Sequence, residues 1–245
     1  MATPALLIHG AWQGAWAWDA FAPLFRARGW DCRAVDLPEN GRPGAGGGPA
    51  SLDAYVAHCA EVLDAPGVVI AHSGGGVVAS QLAEALPERV RCIAYLAGMM
   101  LPSGVGFAEV LAALAGERAV SAGIGPYLRW SDDGLFSSVP PQAALDIFLH
   151  DCPPEAARRA ADSLRPQRET GRALKATLTA GRYGRVPRIY VEALNDRSVV
   201  LEVQRRMQTL SPGARRLSID CGHVPQLARP ERLAEMLDDA LEPYR

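Results

Sequence analysis

The short apolar run Gly67-Val-Val-Ile-Ala71, bounded by Pro66, passes directly into His72-Ser-Gly-Gly-Gly76, and helical apolar spacing resumes at Val77. β-Branched residues in a continuous apolar run read as a strand buried on both faces. A buried strand that turns at once into a helix, repeated along a chain, builds a parallel sheet covered by helices on both faces. This join therefore sets the α/β class before any other stretch is considered.

The same rhythm extends in both directions. Pro4-Ala-Leu-Leu-Ile-His9, ended by Gly10, reads as a buried strand. Trp16 to Arg28 has helical spacing through Trp18, Phe21, Leu24 and Phe25 and stops at Gly29, and Trp30 to Leu37 reads as a second strand. The glycine- and proline-rich stretch from Glu39 to Ala50 is expected to be loop. Ser51 caps a helix reaching about Asp64, with Asp53 in its first turn. Val90 to Leu96, Arg188 to Ala193 and Arg215 to Ile219 are further strands, with helices over Leu201 to Leu210 and Pro230 to Glu242. Between Met99 and Val186 the alternation stops. That stretch is helix-like, punctuated by Pro140-Pro141 and Pro153-Pro154, with no convincing β run. The 245 residues suit one α/β core, 1–98 and 187–245, interrupted by a helical cap over 99–186.

Composition excludes several classes of function. A net charge of -2 and a pI near 6.2 give no electrostatic footprint for nucleic acid or an anionic membrane surface. Arg158, Arg159, Arg165, Arg168 and Arg172 are interleaved with Glu155, Asp162 and Glu169, as on a solvated helix face. The five cysteines are widely spaced and form no C-x-x-C pair, which points to reduced thiols and against a disulfide framework or structural zinc. No signal-peptide pattern opens the chain and no apolar run is long enough for a membrane helix, so a cytoplasmic protein is expected.

The chemistry centres on Ser73. It stands at a strand-to-helix corner among small residues, as a strained nucleophile turn requires, and the helix that follows points its partial positive charge at an oxyanion formed there. The motif is G-x-S-x-G with Ala71 in place of the first glycine, and no G-K-[ST] follows to make it a phosphate loop. A serine hydroxyl needs a base held by a third group. His9, His58, His72 and His150 fall on strand ends, a helix, the same tight turn and the cap. His223 alone stands in a loop after a late strand, in Cys221-Gly-His-Val-Pro225. For the acid, Asp196 follows a strand within a short loop and is preferred to Asp220, which reads as a local turn residue. The order Ser73, Asp196, His223 is that of the α/β-hydrolase fold. Gly74 N–H, after the nucleophile, and Ala11 N–H, in His9-Gly-Ala-Trp12, are placed to form an oxyanion hole.

His9-Gly-Ala-Trp-Gln-Gly-Ala-Trp16, the elbow at Ser73, Ile189-Tyr-Val-Glu-Ala-Leu-Asn-Asp196 and Gly222-His223 together resemble the plant methylesterase and hydroxynitrile lyase group. They are similar also to its bacterial relatives, the pyrethroid-hydrolase-like carboxylesterases. The resemblance covers nearly the whole chain and is weakest through the cap. It implies the α/β-hydrolase fold, Ser73, Asp196 and His223 as triad, Ala11 and Gly74 as oxyanion hole, and no metal or organic cofactor. Two positions favour the esterase branch. The lyases carry a threonine where Gly10 stands and a lysine where Val224 stands, and Val224 is expected to offer an apolar surface to an ester.

The expected function is hydrolysis of a small to medium apolar or aromatic ester through an acyl-enzyme. The alternatives are a ligand-sensing receptor on the same fold, or a lactonase or carbon–carbon bond hydrolase using the same triad. The expected partner is a small-molecule ester, with no nucleic acid and no membrane. The oligomeric state is left open, a homodimer included. Trp12 and Trp130 are candidates for the substrate pocket. Phe107, Tyr127, Phe136 and Phe148 are further cap aromatics that either face substrate or pack the cap.

Overall fold

Side-chain alternation along the strands divides the interior into two cores, one on each face of a single sheet. The computed structural model describes residues 2–40, 50–117 and 123–245, so most of the stretch expected to be loop, 41–49, lies outside the described residues. Along the chain come β1 (Thr3–Ile8), α1 (Ala22–Arg26), β2 (Trp30–Ala34), α2 (Leu52–Val62), β3 (Gly67–His72), α3 (Gly75–Ala85) and β4 (Val90–Leu96). An insertion follows, with α4 (Phe107–Glu117), β5 (Arg129–Trp130), β6 (Phe136–Ser138), α5 (Pro141–Ala143), α6 (Pro154–Ser163) and β7 (Gln167–Arg168). The core resumes with β8 (Arg188–Ala193), α7 (Leu201–Leu210), β9 (Arg215–Ile219), α8 (Pro225–Ala228) and α9 (Pro230–Leu241).

Six strands form one sheet in the order β2-β1-β3-β4-β8-β9, and every pairing in it is parallel. Leu6, Ile8, Val69, Ala71, Ile93 and Tyr95 face α2, α3 and α7. Ala5, Leu7, Val68, Ile70, Ala94 and Leu96 face Trp18, Phe21, Phe25 and the Leu233, Leu237 and Leu241 stripe of α9. This is the two-residue period of a strand covered on both sides. All six residues of β3 are buried, which is why it reads as an unbroken apolar run. The chain passes from β1 outward to β2, then crosses to β3 on the other side of β1. The carboxyl ends of β1 and β3 thus flank a topological switch point, where open α/β sheets place their ligands.

Two expectations are corrected. The helix expected over Trp16 to Arg28 is split into a 3-10 turn, Ala15–Trp18, and α1. Pro23 has no N–H, and in a continuous helix its ring would strike the carbonyl of Asp19. The insertion is not purely helical: β5, β6 and β7 form a three-stranded antiparallel sheet. Strands of two or three residues carry no readable periodicity. The proline pairs of the insertion do mark boundaries, because Pro141 and Pro154 open α5 and α6, where a missing N–H costs nothing. Among the described residues no helix is long and apolar enough to cross a membrane. All five cysteines are buried and unpaired.

Candidate active site

The turn from β3 to α3 is built on a strained serine. Ser73 has φ +49, in the left-handed region, which costs a non-glycine residue roughly 1–2 kcal/mol. Its neighbours hold it there. Its N–H donates to Leu96 O at 3.1 Å, and its carbonyl accepts from the N–H groups of Met99 at 2.8 Å and Gly76 at 3.0 Å. The glycines that follow permit close approach. A Cβ at Gly75 would lie 2.5 Å from His9 O, and one at Gly76 would lie 2.8 Å from Met99 N. Ala71 departs from the usual glycine without strain, since it is an ordinary strand residue paired with Ile8 and Tyr95.

Loops after β8 and β9 bring two more side chains to this corner. His223 Nε2 lies 3.1 Å from Ser73 Oγ, and His223 Nδ1 lies 2.7 Å from Asp196 Oδ2. Asp196 Oδ1 accepts from the N–H groups of Ser198 at 2.7 Å and Val199 at 2.9 Å, so both carboxylate oxygens are engaged. Behind the loop, buried Gln204 donates to Val199 O at 2.7 Å and Ala193 O at 3.0 Å, and accepts from Ala193 N at 3.0 Å. Asp220, the alternative acid, is exposed and accepts instead from Asn195 Nδ2 at 2.6 Å. The geometry joins Ser73, His223 and Asp196 and leaves Asp220 aside.

Among the described residues none of the other histidines is hydrogen-bonded to Ser73 Oγ. His9 is buried, with Nδ1 2.8 Å from Gly10 O and Nε2 accepting from Leu37 N at 3.2 Å. Burial lowers its pKa, and the Gly10 carbonyl and Asp36 only partly oppose this. His72 is fully buried, its ring bound to Gln13 and to the His223 backbone. His58 lies on α2, and His150 lies in the insertion against Ile147 O.

Ala11 and Gly74 face each other across the corner, since a Cβ at Gly74 would lie 3.8 Å from Ala11 N. Among the described residues neither N–H finds a protein acceptor. Both belong to a cavity of about 440 Å³ that also contains Ser73 and His223. Trp12, Phe107, Trp130 and Phe148 line it; Trp12 is buried and Trp130 is half exposed at the rim. Tyr127 is exposed outside it, and Phe136 carries the Arg168 guanidinium across its face. Val224 does not line this cavity. Its backbone carbonyl opens α8, accepting from Leu227 and Ala228, and its side chain is fully buried in the core. The expectation that it faces the ester is therefore corrected.

Three glutamines brace the site without having been singled out from the sequence. Gln13 Oε1 accepts from Gly10 N at 3.1 Å, Gln167 Oε1 accepts from Trp12 N at 2.8 Å, and Gln204 braces the Asp196 loop. Only Gln13 falls within a recognisable motif. Among the described residues no cluster of three His, Cys, Asp or Glu side chains could hold a metal ion.

The chain matches the model of the alpha/beta hydrolase family over residues 5–236. A pyrethroid hydrolase of Sphingobium wenxiniae is 29% identical over 248 residues, covering 97% of this chain and 87% of that protein. Methylesterase 7 of Arabidopsis thaliana is 27% identical over 258 residues, covering 98% and 96%. The crystal structure of a pyrethroid hydrolase from Sphingobium faniae superposes with a TM-score of 0.86 at 28% identity, covering 100% of both chains. Both groups that the sequence resembles are thus found among its relatives, and the chain belongs to the alpha/beta hydrolase family.

Proposed function

We propose that this protein is a cytoplasmic serine carboxylesterase that hydrolyses small to medium apolar or aromatic esters without metal or organic cofactor. The observation that carries the reading is the hydrogen-bonded chain from Ser73 Oγ through His223 to Asp196, opening on a largely apolar cavity. Ser73 Oγ attacks the ester carbonyl while His223 Nε2 takes its proton. Asp196, hydrogen-bonded to Nδ1, fixes the ring and stabilises the cation that forms. The N–H groups of Ala11 and Gly74 receive the developing oxyanion, where donors already in place need no reorganisation. His223 then returns the proton to the departing alcohol, leaving an acyl group on Ser73. A water activated by His223 releases the acid by the same steps in reverse.

Residues 99–186 act as a cap over this site, and Trp12 and Trp130 supply aromatic walls for the substrate. The glycine at position 10 favours ester hydrolysis over cyanohydrin cleavage, because a side chain there would press on His72 and Ser73. Labelling with a fluorophosphonate and assaying an activated acetate ester test the reading together. Ser73→Ala should abolish labelling and lower kcat by on the order of 10³-fold or more, with the thermal midpoint kept. A variant that still turns over at a comparable rate would remove Ser73 from the mechanism.

A further inference from the structure

Trp12, next to the oxyanion donor Ala11, has φ +60, a backbone conformation that a bulky side chain seldom adopts. Something must hold it there, and the contacts that do so come largely from the insertion. Trp12 N donates to Gln167 Oε1 at 2.8 Å, Trp12 O accepts from Arg165 N at 3.0 Å, and the indole Nε1 reaches Ser137 O at 3.2 Å and Oγ at 3.1 Å. Ser137 and Gln167 are direct cross-strand partners on β6 and β7. The pleat of that small antiparallel pair therefore presents both side chains on one face, towards Trp12. The Arg172 guanidinium lies 5.7 Å from the Trp12 ring and is itself gripped by Glu169. Gln167 is almost fully buried, and its other amide end is spent on Gly171 O at 3.0 Å.

We infer that Gln167 is a positioning residue for the oxyanion hole: by accepting the Trp12 N–H it holds the loop at Gly10–Gln13 so that the Ala11 N–H faces the reacting carbonyl. The inference rests on the reading of Ser73 as nucleophile and Ala11 as oxyanion donor. Gln167 does not touch substrate in this role. It acts through the peptide between Ala11 and Trp12, whose N–H is the Trp12 donor and whose orientation is coupled to that of the neighbouring Ala11 amide. The small sheet of the insertion thereby sets catalytic geometry, beyond covering the site.

The test compares the unaltered protein with Gln167→Met, which keeps the side-chain length but lacks the acceptor. Active sites are titrated with a fluorophosphonate, and phenyl acetate turnover is expressed per titrated site. Inhibition by an aryl trifluoromethyl ketone, which forms a tetrahedral adduct on serine, is measured alongside. The per-site kcat should fall roughly 10- to 100-fold with KM changed little, as expected for a displaced oxyanion donor. The ketone's inhibition constant should rise in step with the loss of kcat/KM, because both report the tetrahedral state. A merely structural role would reduce the number of titratable sites and leave per-site kcat and ketone affinity unchanged, and that result overturns the inference. Failure of the unaltered protein to label at Ser73 would instead defeat the nucleophile reading. Should the variant not fold, amide exchange on the unaltered protein decides: the Trp12 N–H should exchange far more slowly than exposed loop amides, and rapid exchange shows that the Gln167 bond does not hold.

Discussion

His72 Nε2 lies 2.8 Å from the carbonyl oxygen of His223, while its Nδ1 lies 3.0 Å from Gln13 Oε1. The residue before the elbow serine thus ties the loop of the proposed base to the loop of the proposed oxyanion donor. Burial, reinforced by the neighbouring His223, pushes the His72 pKa well below its ordinary 6.5. The lowered value favours the neutral ring, which has a single N–H and so donates to only one of these two oxygens at a time.

This neutrality gives a pH dependence with a definite sign. In the unfolded chain His72 and His9 take up protons near their ordinary value of 6.5, whereas in the folded chain both values are lowered. Between the two values the unfolded state binds more protons, so stability is fully present above about pH 6.5 and is lost as pH falls towards the folded values. Each histidine should contribute a slope on the order of 1 kcal/mol per pH unit in that window. Urea melts from pH 7.5 to 5 should show the decline, with His72→Asn shallower. A midpoint flat across the range would contradict the assignment.

Asp196 and Asp220 should separate cleanly. Asp196→Asn removes the carboxylate that holds His223 Nδ1 and should lower kcat by roughly 10²- to 10⁴-fold. Asp220→Asn alters an exposed partner of Asn195 and should stay near full activity. The reverse ranking in ester turnover would show that the acid lies elsewhere.

Gln204 should matter to both stability and rate. Replacing it with leucine leaves Ala193 N and Val199 O buried without their partner, a cost of about 2–3 kcal/mol. The Asp196 loop would also lose its brace. A lowered denaturation midpoint accompanied by reduced kcat at unchanged active-site titre is expected; a neutral substitution would mean that the loop holds itself.

Position 10 has no room for a side chain. A Cβ at Gly10 would lie 2.9 Å from His72 Nδ1 and 3.0 Å from Ser73 Cβ. Gly10→Thr should therefore cut ester hydrolysis severely without conferring lyase activity, and the unaltered protein should cleave naphthyl acetate but release no benzaldehyde from mandelonitrile. Cyanide leaves as an anion, and the cations that line the cavity, Arg172 and Lys175, are already paired with Glu169 and Glu109. Efficient benzaldehyde release that depends on Ser73 would refute this.

Local pattern was enough for the α/β class and for the bounds of β4, β8, α7 and β9, because each is an apolar run at the right period between clear breakers. It was enough also to nominate Ser73, Asp196 and His223, each in a loop after a strand. What it could not express is contact. The 3.1 Å and 2.7 Å links of His223 join residues 150 and 27 positions apart, and only the stacking of parallel strands aligns their carboxyl ends. The same limit hid the role of Gln167, which meets Trp12 across 155 positions from a two-residue strand too short to show a period. It also misplaced Val224, whose apolar character suits cavity and core equally. Hydrophobic period records which side of its own element a residue occupies, whereas tertiary packing alone decides what stands opposite.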